Sequence, residues 1–302
     1  MSTPATPRCP VHPAVPLALW PVAQTSAEDQ RAGRYGPAGA QHPAPMLPEL
    51  ARRIITEYSA PGQHVVDVMA GIGTTIVEAA LLDRHALGVE VDPRWAEIAR
   101  TNLDHSLRGA RRDRAEIRVG DARAPGDVLD DLAGLVDLVC LSPHYVCDGA
   151  ASDTNAPHPR RRSGAAPSAD CSRNRAKLGH TWGRTYAAAM SEIYTGCFDI
   201  LRPGGTLVTV TQSSRHAGRT HDRAGQTVAL CRAAGFGYTQ HVVAIDAALR
   251  DSELVARAPS RTLAAFRRAR QHGEPAHLLI HQDVCVFVKP DSSVSSEADH
   301  DR

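Results

Sequence analysis

From residue 65 onward, short apolar runs alternate with segments of helical period, and this alternation narrows the choice of fold more than any other feature. Val65-Val66-Asp67-Val68-Met69 reads as a short buried strand after a break at Pro61-Gly62. Thr74 to Leu82 reads as a helix and Ala86 to Val91 as a strand. Asp92 is a good cap, with Pro93 at the first position of a helix carrying Trp95, Ile98, Ala99 and Leu103 on one face. Further strands are expected over Glu116 to Val119, Leu135 to Leu141, Thr206 to Thr211, Tyr238 to Ile245 and Leu278 to Lys289. Helical spacing marks Val128 to Leu132, Trp182 to Ile200, Ala224 to Ala234 and Ser252 to Arg270, and, before the first strand, Met46 to Tyr58. Strands joined through helices predict an α/β domain with a mostly parallel, seven-stranded, Rossmann-like sheet covered on both faces. The last two strands are expected to form an antiparallel edge pair.

The organisation follows from where the alternation stops. Residues 1–40, rich in Pro, Gly and Ala, read as an extended arm; 41–289 form the domain; 290–302 read as a disordered acidic tail. Residues 146–179 interrupt the pattern with an Arg-rich insertion almost free of large apolar side chains. Formal net charge is only +1, so any contact with nucleic acid must come from local basic clusters. No apolar run approaches the roughly 20 residues a membrane span needs, and Met1 to Pro16 lacks the plan of a signal peptide. Cys140, Cys197, Cys231 and Cys285 lie in apolar segments and read as reduced core residues, so a cytoplasmic protein is expected. No metal is expected: Cys9-Pro10-Val11-His12 has the spacing of half a zinc site, but no second pair matches it.

The loop Asp67-Val68-Met69-Ala70-Gly71-Ile72-Gly73-Thr74-Thr75 joins the first strand to its helix, where ligands bind in such folds. Glycines there allow a tight turn, and the helix start offers free N–H groups. Glu90 ends the second strand, where a carboxylate can accept two ribose hydroxyls. Asp121 follows the third and can accept from an adenine amino group. A dinucleotide site wants a third glycine at position 76, where Ile76 stands.

Asp67 to Thr75 with Glu78-Ala79-Ala80 resembles the D-P-F-x-G-x-G-T-T-x-x-A-A signature of amino-directed DNA methyltransferases, with Val68 and Met69 in place of the usual Pro and Phe. Leu201-Arg202-Pro203-Gly204-Gly205 is similar to a turn common in class I methyltransferases. His42-Pro43 with Leu47 and Leu50 resembles the segment beside the methionine end of the cofactor. The resemblance covers most of residues 41 to 289. It implies a class I methyltransferase fold and S-adenosylmethionine bound by Asp67, Met69, Ala70, Gly71, Gly73, Thr74, Thr75, Glu90 and Asp121, with His42 and Pro43 beside it.

Ser142-Pro143-His144-Tyr145 ends the fourth strand and resembles the [DNS]-P-P-[YFW] motif of those enzymes, with His144 in place of the second Pro. An aromatic amine is a poor nucleophile because its lone pair is delocalised into the ring. The Ser142 oxygen and the Pro143 carbonyl can accept its two N–H bonds, and Tyr145 can stack on an extruded base. Read without the resemblance, the tetrapeptide is also an ordinary strand-to-loop turn. Arg160, Arg161, Arg162, Arg173, Arg175 and Lys177 crowd the following loop, which is either a phosphate-binding element or a solvated insertion.

The leading expectation is methylation of an exocyclic amino group in DNA, cytosine N4 ahead of adenine N6 because Ser142 is the form more typical of cytosine enzymes. An RNA amino methyltransferase is the alternative within catalysis. A binding protein that lost turnover through His144, and a small-molecule methyltransferase using the Arg-rich loop as a lid, also stay open.

Overall fold

The computed structural model describes residues 16–124, 126–143, 184–216, 219–258 and 260–291. The Arg-rich insertion, residues 292–302 of the acidic tail and residues 1–15 lie outside them. From residue 16 the arm has structure. Strand β1 (Leu19–Pro21) is followed by helix α1 (Ala27–Arg31), whose Ser26 and Asp29 form a reciprocal capping box, and by a 3₁₀ turn over Pro37–Gln41.

Next comes α2 (Pro48–Tyr58), with Pro48 in its first turn and Leu50, Ala51, Ile54 and Ile55 fully buried at helical spacing. β2 (His64–Asp67), α3 (Thr74–Leu81), β3 (His85–Glu90) and α4 (Pro93–Ser106) follow the expected alternation. The Asp92 side chain accepts the N–H of Arg94, capping α4 as anticipated. A short α5 (Ala110–Asp113) precedes β4 (Ala115–Val119). A single turn, α6 (Gly126–Leu129), runs into a 3₁₀ turn before β5 (Val136–Leu141).

After the insertion, α7 (Arg184–Ile200) buries Tyr186, Met190, Ile193, Tyr194 and Cys197 against the sheet. β6 (Leu201–Thr211) contains the expected Pro-Gly-Gly turn as a register shift: Val136 pairs with Leu201 but Leu138 with Thr206. Gly204 lies at φ 70° there, and the Lys289 ammonium donates to the Phe198 and Leu201 carbonyls at the end of α7. The hairpin β7 (Ser214–His216)–β8 (Arg219–His221), α8 (Arg223–Ala233) and β9 (Gly237–Ile245) follow. The chain ends with hairpin β10 (Ala247–Arg250)–β11 (Glu253–Ala256), α9 (Ser260–Gln271) and β12 (His281–Val288).

The main sheet runs β1-β9-β12-β6-β5-β2-β3-β4. β12 is antiparallel to both β6 and β9, while the remaining pairs are parallel. Without β1 this is the class I methyltransferase arrangement. The sheet has eight strands rather than the expected seven, because three residues of the supposed arm pair with β9, Leu19 opposite Val243. β9 and β12 do pair antiparallel, but β12 lies between β6 and β9, and β1 covers the edge. The helix expected from Ser252 begins only at Ser260; Glu253–Ala256 are strand β11. α2, α3 and α4 pack on one face and α7 and α8 on the other. Each fully buried Leu or Ile there contributes about 1.5–3 kcal/mol by leaving water. Strand order reverses between β2 and β5 at the centre of the sheet, and a cleft outside the carboxyl ends of these parallel strands is expected at that place.

Candidate active site

β2 delivers Asp67 to this switch point, and the backbone then turns through Gly71 (φ 53°) and Gly73 (φ 79°) into α3. Both turns need glycine, and each also needs its missing side chain. A Cβ on Gly73 would lie 3.0 Å from Ala99 Cβ on α4, and one on Gly71 would lie 3.2 Å from His42 Nε2. The loop is thus held between α4 and His42, whose ring meets Trp95 edge-on at 4.8 Å.

Asp67 is 4% exposed. One oxygen accepts the Met69 N–H at 2.9 Å and the other the Thr75 hydroxyl at 2.7 Å. Burial outweighs these bonds and pushes its carboxyl up to about 6. Glu90 is also buried, and burial raises its carboxyl too. Its two oxygens accept the N–H groups of Gly71 and Asp92, each at 2.8 Å. Each carboxylate oxygen has two lone pairs, so both retain one toward a ligand hydroxyl.

A cleft joins His42, Asp67, Met69, Ala70, Gly71, Thr74 and Thr75 to Ser142. Within it the buried Thr74 hydroxyl has no hydrogen-bond partner, and no side chain caps α3. A buried hydroxyl without a partner costs about 1–3 kcal/mol, so the cleft suits a ligand with a polar group at this point. An amino acid carboxylate over the start of α3 fits these donors; Glu90 and Asp121 are not among the residues that line this cleft.

The structure brings the glycine loop and Ser142 together as the sequence implied. Ser142 follows β5 half-buried, and Pro143 is buried. Gly73 packs toward α4, and Pro43 is exposed beside buried His42. Asp121 stands just past β4, where Arg123 donates to it at 3.0 Å and holds its carboxyl below the usual range. His144, Tyr145 and the six basic residues from Arg160 to Lys177 lie outside the described residues, as do Cys9, His12 and Trp182. Tyr186 is a core residue, and the four apolar-segment cysteines are buried and form no disulfide. Asp283 pairs with His241 at 3.0 Å. Among the described residues there is no cluster suited to a metal, and no helix is long and apolar enough to cross a membrane.

Sequence reasoning missed the supports. Ala44, Pro45, Met46 and Ile72 complete the cleft. Buried Asn102 donates to the Ile72 carbonyl and accepts from the Gly36 N–H, both at 2.9 Å. Glu78 on α3, with no exposed surface, takes bonds from Arg34, Tyr35 and Arg52. The one available signal was a carboxylate on an apolar helix face.

Comparison with known proteins agrees over the segment that carries the glycine loop. A family described as DNA methylase, of the N6/N4 type, matches residues 12–101. A type II methyltransferase of Methanothermobacter thermautotrophicus, M.MthZI, is 35% identical over 60 residues, which are 20% of this chain and 17% of that protein. The match therefore spans about a sixth of the relative. TrmN from Thermus thermophilus superposes with a TM-score of 0.49 at 16% identity, over 86% of this chain and 53% of that one. A geranyl diphosphate methyltransferase in complex with S-adenosylmethionine gives 0.49 at 14% identity, over 85% of this chain and 96% of that one. The resemblance to amino-directed DNA methyltransferases is borne out over residues 12–101, and with it S-adenosylmethionine as the cofactor.

Proposed function

We propose, for a chain whose residues 12–101 match the amino-directed DNA methylases, that it methylates an exocyclic amino group of a base in DNA, cytosine N4 ahead of adenine N6. The observation that carries this reading is a cleft that joins the Asp67–Thr75 loop to Ser142. When bound there, the cofactor supplies an electrophilic methyl group; the chain's own residues orient the two reactants.

In this reading the start of α3 and the Thr74 hydroxyl hold the donor's carboxylate, and Glu90 holds its ribose. Asp67 keeps the loop in shape through Met69 and Thr75. Asp121 accepts from the adenine after yielding part of its bond to Arg123. The Ser142 hydroxyl and the Pro143 carbonyl accept the amino N–H bonds, favouring a nitrogen whose lone pair is turned out of the ring. Holding nucleophile and methyl in reacting geometry contributes much of the acceleration. In the same reading Tyr145 stacks on the extruded base, and His144, in place of the usual second Pro, brings a titratable residue type into the motif. Arg160, Arg161, Arg162, Arg173, Arg175 and Lys177 contact phosphates.

The test is incubation with methyl-labelled S-adenosylmethionine and unmodified genomic DNA, with total RNA in parallel, then digestion to nucleosides. Label in N4-methylcytosine is expected. Label in N6-methyladenine corrects the base, label only in RNA moves the substrate, and no label in either removes the reading.

A further inference from the structure

We infer that α9 is a docking surface for the phosphate backbone of duplex DNA; the inference rests on the nucleic-acid substrate proposed above. Topology gives the first ground. β12 is antiparallel to both β6 and β9, so β9 and β6 run the same way, and β6 is parallel to β5. Ile245 at the end of β9 pairs with His281 at the start of β12. Residues 246–280 therefore leave and rejoin the sheet on the edge where β5 delivers Ser142.

The second ground is that this segment is fixed at its root. The Asp246 N–H donates to the Ile280 carbonyl at 2.7 Å, and its carboxylate accepts from Gln282 at 2.9 Å. The Arg257 N–H closes the hairpin onto the Asp246 carbonyl at 2.9 Å. Arg250 and Arg257 also donate to the Gln24 and Ala23 carbonyls at 2.7 and 3.1 Å, tying the hairpin to the chain beyond β1.

Charge is the third ground. The sequence of α9, SRTLAAFRRARQ, contains four arginines and no acid. Thr262, Leu263, Phe266 and Ala269 are half-buried, whereas Arg267, Arg268 and Arg270 are exposed. No carboxylate stands within 4.0 Å of these three among the described residues. Elsewhere, exposed Arg53, Arg111 and Arg202 pair with Glu57, Asp83 and Asp137, while exposed Arg94, Arg108, Arg232, Arg250 and Arg257, without a carboxylate within 4.0 Å among the described residues, stand apart from one another along the chain. In a chain of net charge +1, α9 thus gathers three exposed arginines without a carboxylate partner within four residues of one helix. Twelve helical residues span about 18 Å, a length facing roughly ten charges of a duplex. Release of condensed counterions from those phosphates then favours binding.

The experiment compares the full chain with Arg267→Ala/Arg268→Ala/Arg270→Ala and with the corresponding triple lysine variant. Affinity for an unmodified DNA duplex is measured across a salt series, and S-adenosylmethionine affinity separately. The alanine variant should bind duplex roughly tenfold more weakly, with its log–log salt slope reduced by about 3. Cofactor affinity should be unchanged, since Ala favours the helix, and lysine should restore the slope. An unchanged slope overturns the inference. So does a loss confined to structured RNA, or a loss that lysine does not repair. A wild-type chain that binds no duplex overturns it together with the DNA reading. Salt-dependent duplex binding through α9 without transfer to any base removes only the proposed activity.

Discussion

Glu90 accepts the backbone N–H of Gly71 at 2.8 Å, so the carboxylate ending the second strand of the switch region also fixes the glycine loop beside it. Two functions meet at one side chain. Glu90→Ala leaves the Gly71 and Asp92 N–H groups without their acceptor, at a cost of about 1–3 kcal/mol in stability. Cofactor affinity should fall at least roughly tenfold, since a lost hydrogen bond to a charged group is worth about 1.5–3 kcal/mol. Calorimetric titration with thermal unfolding measures both, and unchanged affinity removes Glu90 from the site.

Asp67 gives the pH dependence. Its folded carboxyl titrates near 6, above the ordinary value of 3.8, because burial penalises the charge. The stability it contributes is therefore fully present below pH 3.8 and is lost as pH rises through 6, a span on the order of 3 kcal/mol. Cofactor affinity should run the other way, rising between pH 5 and 7 as the carboxylate forms beside a cationic donor. Asp67→Asn should flatten both profiles. Identical slopes in the variant would assign the titration to another group.

Ser142→Ala tests the strand-end motif. Transfer should fall by about 10²–10³, the usual cost of removing one preorganised hydrogen bond at a reacting centre. Cofactor affinity should be nearly unchanged. A loss of cofactor binding equal to the loss of rate would make Ser142 part of the cofactor pocket instead.

Glu78 predicts a structural loss. It has no exposed surface and receives Arg34, Tyr35 and Arg52. Burial and the neighbouring Glu78 charge drive the Tyr35 hydroxyl well above its usual range. Glu78→Ala leaves these donors facing a void and should cost about 3–5 kcal/mol in urea unfolding. A cost below about 1 kcal/mol would mean that solvent replaces the carboxylate easily.

The alternation and the glycine loop were legible because both are local: strand length, helix period and φ-positive glycines are written within a few neighbouring residues. The missed strands had no such signature. β1 is three residues long and ends in Pro21. The β10–β11 hairpin turns through Asp251 at φ 46° and Ser252 at φ 70°, a left-handed pair without the glycine that usually announces it. Leu254 and Val255, both exposed, continued the helical spacing by chance. Of the site, Asp67 and Ser142 could be read from motif and position. The contacts of Glu78 with Arg34 and of Asn102 with Gly36 bridge 44 and 66 residues, and no local pattern encodes them.

The insertion of β12 between β6 and β9 has a consequence for synthesis. Until residue 288 has cleared the ribosome, both neighbours present open strand edges, and the nascent sheet is two incomplete halves. Chaperone demand should therefore peak late in translation. A stop codon placed just before His281 should yield aggregates instead of a partly active enzyme.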